Sequence, residues 1–379
     1  MKSKGKDHKS LKNSLLVLLI GILANLNFLA AKTQANPNPE KNIPKLPKEL
    51  ISTDENNLEL EFKPNIERWR RVRLVHNIEE YKVTVDSLVF SPNNRILISG
   101  SASNNPRMRF FSVETGKELT EFSAHPTGIL ALAVSPDGNT LVSSGEDPGI
   151  NFWDLRTGEF KFTLVEHSSS VTSLAIAPNN QVLVSGSLDG IRVWRLDYHP
   201  QRPIYTLANR NNPVTAMAIN SNGYLLASGN MEGQVQFWNL TEGTFISEFA
   251  PHQEDITGMA FSTDGNNLIT ASGDRTIKIW DLASGQLLKT LTGHRGKIRT
   301  IALHPNGQNL ASGGDDGIIL WNIDRGELLT KLEEHNNWIK SLAFSSDGEY
   351  LASGGFDATV KIWQSTLSAG TPNPSENDE

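Results

Sequence analysis

Residues 293–322 read GHRGKIRTIALHPNGQNLASGGDDGIILWN. The stretch contains three short runs, IRTIAL, NLASGG and IILW, set apart by clusters of Pro, Asn, Asp and Gly. Alternation of β-branched and smaller residues marks half-buried strands, and the clusters between them mark tight turns. After the tryptophan come another Gly-containing turn and a fourth run, as in SGQLLKTL after Trp280.

The same plan recurs along the chain. Aromatic residues end the third run at Phe111, Trp153, Trp194, Trp238, Trp280, Trp321 and Trp363, at intervals of 42, 41, 44, 42, 41 and 42 residues. Four short strands repeated at this period predict an all-β fold, a seven-bladed propeller of four-stranded blades packed face to face around an axis. The buried columns can be read off the first strand. One holds Val85, Ile129, Val171, Val214, Ile256, Ile298 and Ile339; a second holds Val89, Ala133, Ala175, Ala218, Ala260, Ala302 and Ala343. After Trp363 no fourth strand remains, whereas residues 70–76 (RRVRLVH) form a spare strand ahead of the first repeat. That strand is predicted to complete the last blade, removing the open sheet edges that would otherwise invite aggregation.

Outside residues 70–364 the composition changes. Lys2, Lys4, Lys6, Lys9 and Lys12 precede an apolar core at residues 15–31, and small residues follow it up to Ala35. This is the plan of a secretory signal peptide, residues 1–35, cleaved after TQA; the alternative is an uncleaved membrane anchor through residues 15–31, which Asn25 and Asn27 weaken as a span. Either form places the remainder outside the cytoplasm, periplasmic or extracellular. Residues 36–69 read as a Pro-, Asn- and Lys-rich linker, and residues 365–379 as an acidic disordered tail.

The chain has 379 residues, no cysteine and a net charge of −7. Without residues 1–35 it carries 29 basic and 41 acidic residues. This balance argues against nucleic-acid binding, which needs clustered Lys and Arg. The absent cysteines exclude disulfides and thiolate metal sites.

A set of polar residues also repeats. His125, Ser143, Asp147 and Trp153 have counterparts in His167, Ser185, Asp189 and Trp194; in His252, Thr270, Asp274 and Trp280; in His294, Ser312, Asp316 and Trp321; and in His335, Ser353, Asp357 and Trp363, with the Ser or Thr 18 residues, the Asp 22 and the Trp 27 or 28 after the His. A catalytic triad is needed once, in a cleft beside an oxyanion hole. Five copies in five blades read instead as a structural relay: Asp accepts from His, whose other nitrogen meets Ser or Thr, which meets the indole. Histidines in separate blades cannot share one metal, so neither metal nor cofactor is expected. The first repeat has Tyr81 and Phe111 in the His and Trp positions, and the fourth sets Arg210 opposite Glu232, a pairing read as an ion pair.

Period, tryptophan column and relay together resemble the WD-repeat family of seven-bladed propellers, in an exported, bacterial form, over about residues 70–364. Trp-Asp itself occurs at Trp153-Asp154 and Trp280-Asp281, and Gly-His only at Gly293-His294. The resemblance implies that a protein partner binds the face where residues three and five places after the His column, and those just before the Asp column, surround the channel mouth. In the last two blades these are Lys297, Arg299, Trp338, Lys340 and Phe356, a basic and aromatic patch, with Asp255 and Asp315 beside it. The expected function is therefore a monomeric, non-enzymatic scaffold in an envelope complex, whose protein or peptide partner is acidic. Two alternatives use the same face: a hydrolase drawing on Asp86, Asp255 and Asp315, and a glycan or cell-wall binder stacking sugars on Trp338 and Phe356.

Overall fold

Each repeat folds as an antiparallel four-stranded sheet because its turns leave only one register open. The computed structural model describes residues 68–79, 81–101, 106–196, 202–207 and 213–366. In the turn of the second repeat, Ser135 Oγ donates to Asp137 Oδ1 (2.6 Å) and accepts the Thr140 amide (2.9 Å). Gly138 supplies the left-handed residue at φ +72°. Asn94 (φ +58°) and Asn180 (φ +60°) do so in the first and third repeats, as Asn tolerates this region better than other side chains.

There are seven such sheets. The first strands of blades 1 to 7 are Val85–Phe90, Ile129–Val134, Val171–Ile176, Val214–Ile219, Ile256–Phe261, Ile298–Leu303 and Ile339–Phe344. Each touches the first strand of the next blade, and that of blade 7 touches that of blade 1, so the ring is closed. The Val/Ile column is fully buried between blades. Glycine makes that contact possible: a Cβ on Gly100 would lie 2.5 Å from Ile129 Cγ2, and one on Gly313 would lie 2.5 Å from Ile339 Cγ2. The Val/Ala column differs from expectation: apart from Ala218 it is half-buried. The reason is visible at Val89 and Ala343, which border an apolar recess of about 380 Å³ with Phe90, Val134 and Phe344.

The seventh blade combines the two ends of the chain. The strand Val72–Ile78 pairs antiparallel with Val360–Ser365, from Val72↔Ser365 to Ile78↔Val360. It lies two residues later than the sequence suggested. A 3₁₀ turn, Arg68–Arg70, precedes it and buries Trp69. The Trp69 ring meets His304 (5.8 Å between centroids) and Phe344 (5.0 Å) edge-on, in the cluster between blades 6 and 7. Trp69 thus belongs to the propeller rather than to a linker ending at residue 69. At the other end Ser365 is still in the strand, and Thr366 donates its amide to Arg71 O (2.9 Å). Among the described residues no helix is long and apolar enough to cross a membrane; residues 1–67, with the signal or anchor segment, and residues 367–379 lie outside them.

Candidate functional site

The repeated polar set forms five connected relays. In blade 2, His125 Nδ1 lies 2.9 Å from Asp147 Oδ2 and its Nε2 2.9 Å from Ser143 Oγ, which also accepts Trp153 Nε1–H at 3.0 Å. The corresponding distances are 2.6, 2.7 and 2.9 Å for His167, Asp189, Ser185 and Trp194 in blade 3. They are 2.9, 2.8 and 3.2 Å for His252, Asp274, Thr270 and Trp280 in blade 5. Blade 6 has 2.6, 2.7 and 2.7 Å for His294, Asp316, Ser312 and Trp321. Blade 7 has 2.7, 2.7 and 2.8 Å for His335, Asp357, Ser353 and Trp363.

The proton positions follow from the inventory of donors. An indole N–H can only donate and an ionised carboxylate can only accept, so each Nδ1–H donates to Asp and each hydroxyl donates to Nε2. Ser143, Ser185, Thr270, Ser312 and Ser353 are all 0% exposed. A substrate could not reach those oxygens, and the sets cannot act as nucleophiles. Their role is to tie the first-strand entry loop to the second and third strands of each blade.

The electrostatics agree. Burial works against ionised Asp147, Asp189, Asp274, Asp316 and Asp357, yet hydrogen bonds from His and neighbouring N–H or O–H groups outweigh it and hold each below the usual carboxylate range. Burial also lowers His167 and His294, although their Asp partners pull the other way. At His167 the Arg192 guanidinium, paired to Asp189 at 3.0 Å, adds to that lowering. A base whose folded pKa is depressed binds protons better when unfolded, so stability should fall as pH drops below about 6.5. Urea midpoints should therefore be lower at pH 5 than at pH 7; equal midpoints would refute this account.

Blades 1 and 4 depart from the pattern. Tyr81 Oη meets Ser99 Oγ, and Phe111 offers no indole donor. Trp238 Nε1 donates to Ser228 Oγ at 2.9 Å without a histidine. Arg210, and with it the expected pairing to Glu232, lies outside the described residues.

Comparison with known families gives the same periodicity. The family described as "WD40: WD domain, G-beta repeat" matches residues 73–108, 116–154, 158–195, 201–239, 243–281, 285–322 and 326–364. The chain belongs to the WD40 family. No curated protein matches it. Each WD40 match begins in, or just ahead of, one blade's outermost strand and ends in the third strand of the next blade. The first begins inside Val72–Ile78, which is why that strand must close the seventh blade.

At the channel mouth of this WD40 propeller the patch residues of blades 6 and 7 come together, but not as a bare basic cluster. Lys297 Nζ donates to Glu254 Oε2 of blade 5 at 2.6 Å. Arg299 is ion-paired with Asp315, and its guanidinium carbon lies 4.2 Å from the Trp338 ring centroid. Trp338 and Phe356 meet edge-on, 5.4 Å between centroids, and remain 42% and 40% exposed. Lys340 acts on Asp86 of blade 1. Burial pushes that carboxyl up to about 6, with Lys340 lowering it and Glu146 raising it.

The expected acidic partner thus loses its main electrostatic support. Glu254 was the missing piece; it lies two places after the His column, outside the positions read for the mouth. The carboxylates proposed for a hydrolase come from three blades: Asp315 is held by Arg299, while Asp86 and Asp255 stand at the first strands of blades 1 and 5. Among the described residues no group of three His, Cys, Asp or Glu could hold a metal ion.

Proposed function

We propose that the protein is a non-enzymatic scaffold that captures a protein partner through the aromatic corner Trp338–Phe356 at the mouth of its channel. WD40 propellers are commonly interaction scaffolds. The observation that carries the reading is that two large rings stand exposed, backed by an arginine already fixed by Asp315. Aromatic residues held rigid in this way bury area at low entropic cost and dominate binding energy where they occur. The partner supplies an apolar side chain to this corner rather than an acidic run, because Lys297 and Arg299 are already paired. Residues 1–35 direct export, so the partner belongs to the periplasm or the exterior.

Affinity capture from an envelope extract, with mass spectrometry of what is retained, tests the reading. Trp338→Ala with Phe356→Ser should abolish capture, and Lys297→Glu should leave most of it. Undiminished capture by the double variant would overturn the assignment. N-terminal sequencing of the mature protein checks export: it should begin at Asn36, and a chain that keeps Met1 would argue for the anchor.

A further inference from the structure

The end of the ring opposite the channel mouth carries an apolar recess. It measures about 380 Å³ and is lined by Val89 and Pro92 of blade 1, Val134 and Pro136 of blade 2, and Ala343 and Phe344 of blade 7. Two serines complete the wall, and both are committed: Ser91 Oγ donates to Asn93 Oδ1 at 2.7 Å, and Ser346 Oγ donates to Pro92 O at 2.9 Å. Neither hydroxyl needs a further partner, so an apolar occupant gains most there.

The first and last described residues lie at this same end. Val72–Ile78 pairs with Val360–Ser365, and Gln364 faces Tyr350 at the close of the first turn of blade 7. The Trp69 ring meets Phe344 at 5.0 Å between centroids, and Phe344 is part of the recess wall. The recess is therefore one ring away from the point where the N-terminal segment joins the propeller. In that segment residues 58–62 read LELEF, and Phe62 stands six residues before Arg68. Six extended residues span up to about 20 Å, which brings the run within reach. In an extended chain Leu58, Leu60 and Phe62 share one face, with Glu59 and Glu61 on the other. The charges fit as well. Arg95, in the turn that supplies Pro92, is exposed and forms no ion pair among the described residues. Asp137 and Asp347 on the neighbouring turns are already held by hydroxyl and amide donors of their own turns. The C-terminal segment leaves from the same end, but Leu367 is the one large apolar side chain in residues 367–379.

We propose that residues 58–62 dock in this recess, with Leu58, Leu60 and Phe62 against its apolar wall and Glu59 and Glu61 towards Arg95. The docked run fixes the N-terminal segment to the end of the ring away from Trp338 and Phe356, which leaves the mouth clear. Docking there is independent of what the mouth captures. The experiment is NMR of the full chain with labelled valine methyls. Nuclear Overhauser contacts should link the Phe62 ring to the Val89 and Val134 methyls. Leu60→Ser with Phe62→Ser, both outside the propeller, should remove those contacts and shift both methyls. A peptide of residues 56–64 added to that double variant should restore the native shifts saturably, and adding Arg95→Glu should weaken its binding about fivefold. Absence of the contacts, restoration by a peptide of residues 367–379 instead, or undiminished peptide binding with Arg95→Glu would each overturn the proposal.

Discussion

Trp69→Ala should destabilise the propeller by about 3–5 kcal/mol, the range for truncating a large buried aromatic, and removal of residues 69–78 should prevent stable closure altogether. Two attachments hold the seventh blade together across the chain ends. One is the ladder between Val72–Ile78 and Val360–Ser365, with Lys361 Nζ donating to Asn77 Oδ1 at 2.5 Å. The other is Trp69, 1% exposed, wedged among Ala311, Leu320, Leu342 and Trp363. The ladder alone would join the outer strand to blade 7; the tryptophan also fixes it to blade 6, as does the Arg70–Glu327 contact at 3.4 Å. That ion pair is exposed and contributes little by comparison. Without the segment, the edge of Val360–Ser365 is bare, and the truncated chain should associate with itself. Urea denaturation and light scattering check both statements. An unchanged midpoint for Trp69→Ala, or a monomeric truncated ring, would sink the closure argument.

The propeller was legible in the sequence because each repeat carries its own turn chemistry and its own buried column, and seven copies make coincidence untenable. The spare strand was legible by subtraction, since the last repeat lacked a fourth strand. Its exact start was not. Trp69 follows a run without periodicity, and its burial depends on His304 of blade 6 and Phe344 of blade 7, residues more than 230 positions away that no local pattern encodes. The relay could be read for a similar reason to the fold: fixed offsets repeated five times. The channel mouth could be read only in part. The family resemblance placed Arg299, Trp338 and Phe356 at the channel mouth, but the charge they present depends on neighbours from other blades. Glu254 neutralises Lys297 across a blade boundary, so counting cations along the chain overstated the basic character of the patch.

His335→Leu should cost about 3–5 kcal/mol, the range expected when one member of a buried pair is removed and the other is stranded. The side chains of His335 and Asp357 are 1% and 6% exposed, the least accessible acid–base pair among the five relays. Losing the imidazole leaves Ser353 Oγ–H without an acceptor while Trp363 still donates to that oxygen. Asp357 keeps Thr359 and the Asn336 amide, which softens the loss without replacing the charge-assisted bond. Ser228→Ala in blade 4, where only the Trp238 bond is at stake, should cost about 1–3 kcal/mol.

Combining His335→Leu with Asp357→Leu should destabilise by less than the sum of the two single changes, with a coupling on the order of 0.5–3 kcal/mol. A pH signature separates this relay from simple packing. Burial alone would raise Asp357, but His335, Thr359 and the Asn336 amide hold it down at about 2. A carboxyl depressed in the folded state stabilises fully above its unfolded value near 3.8 and loses that contribution as pH falls towards 2. The gap in stability between the native protein and His335→Leu should therefore narrow between pH 4 and pH 2. A gap constant across that window would mean that the histidine acts only by filling space.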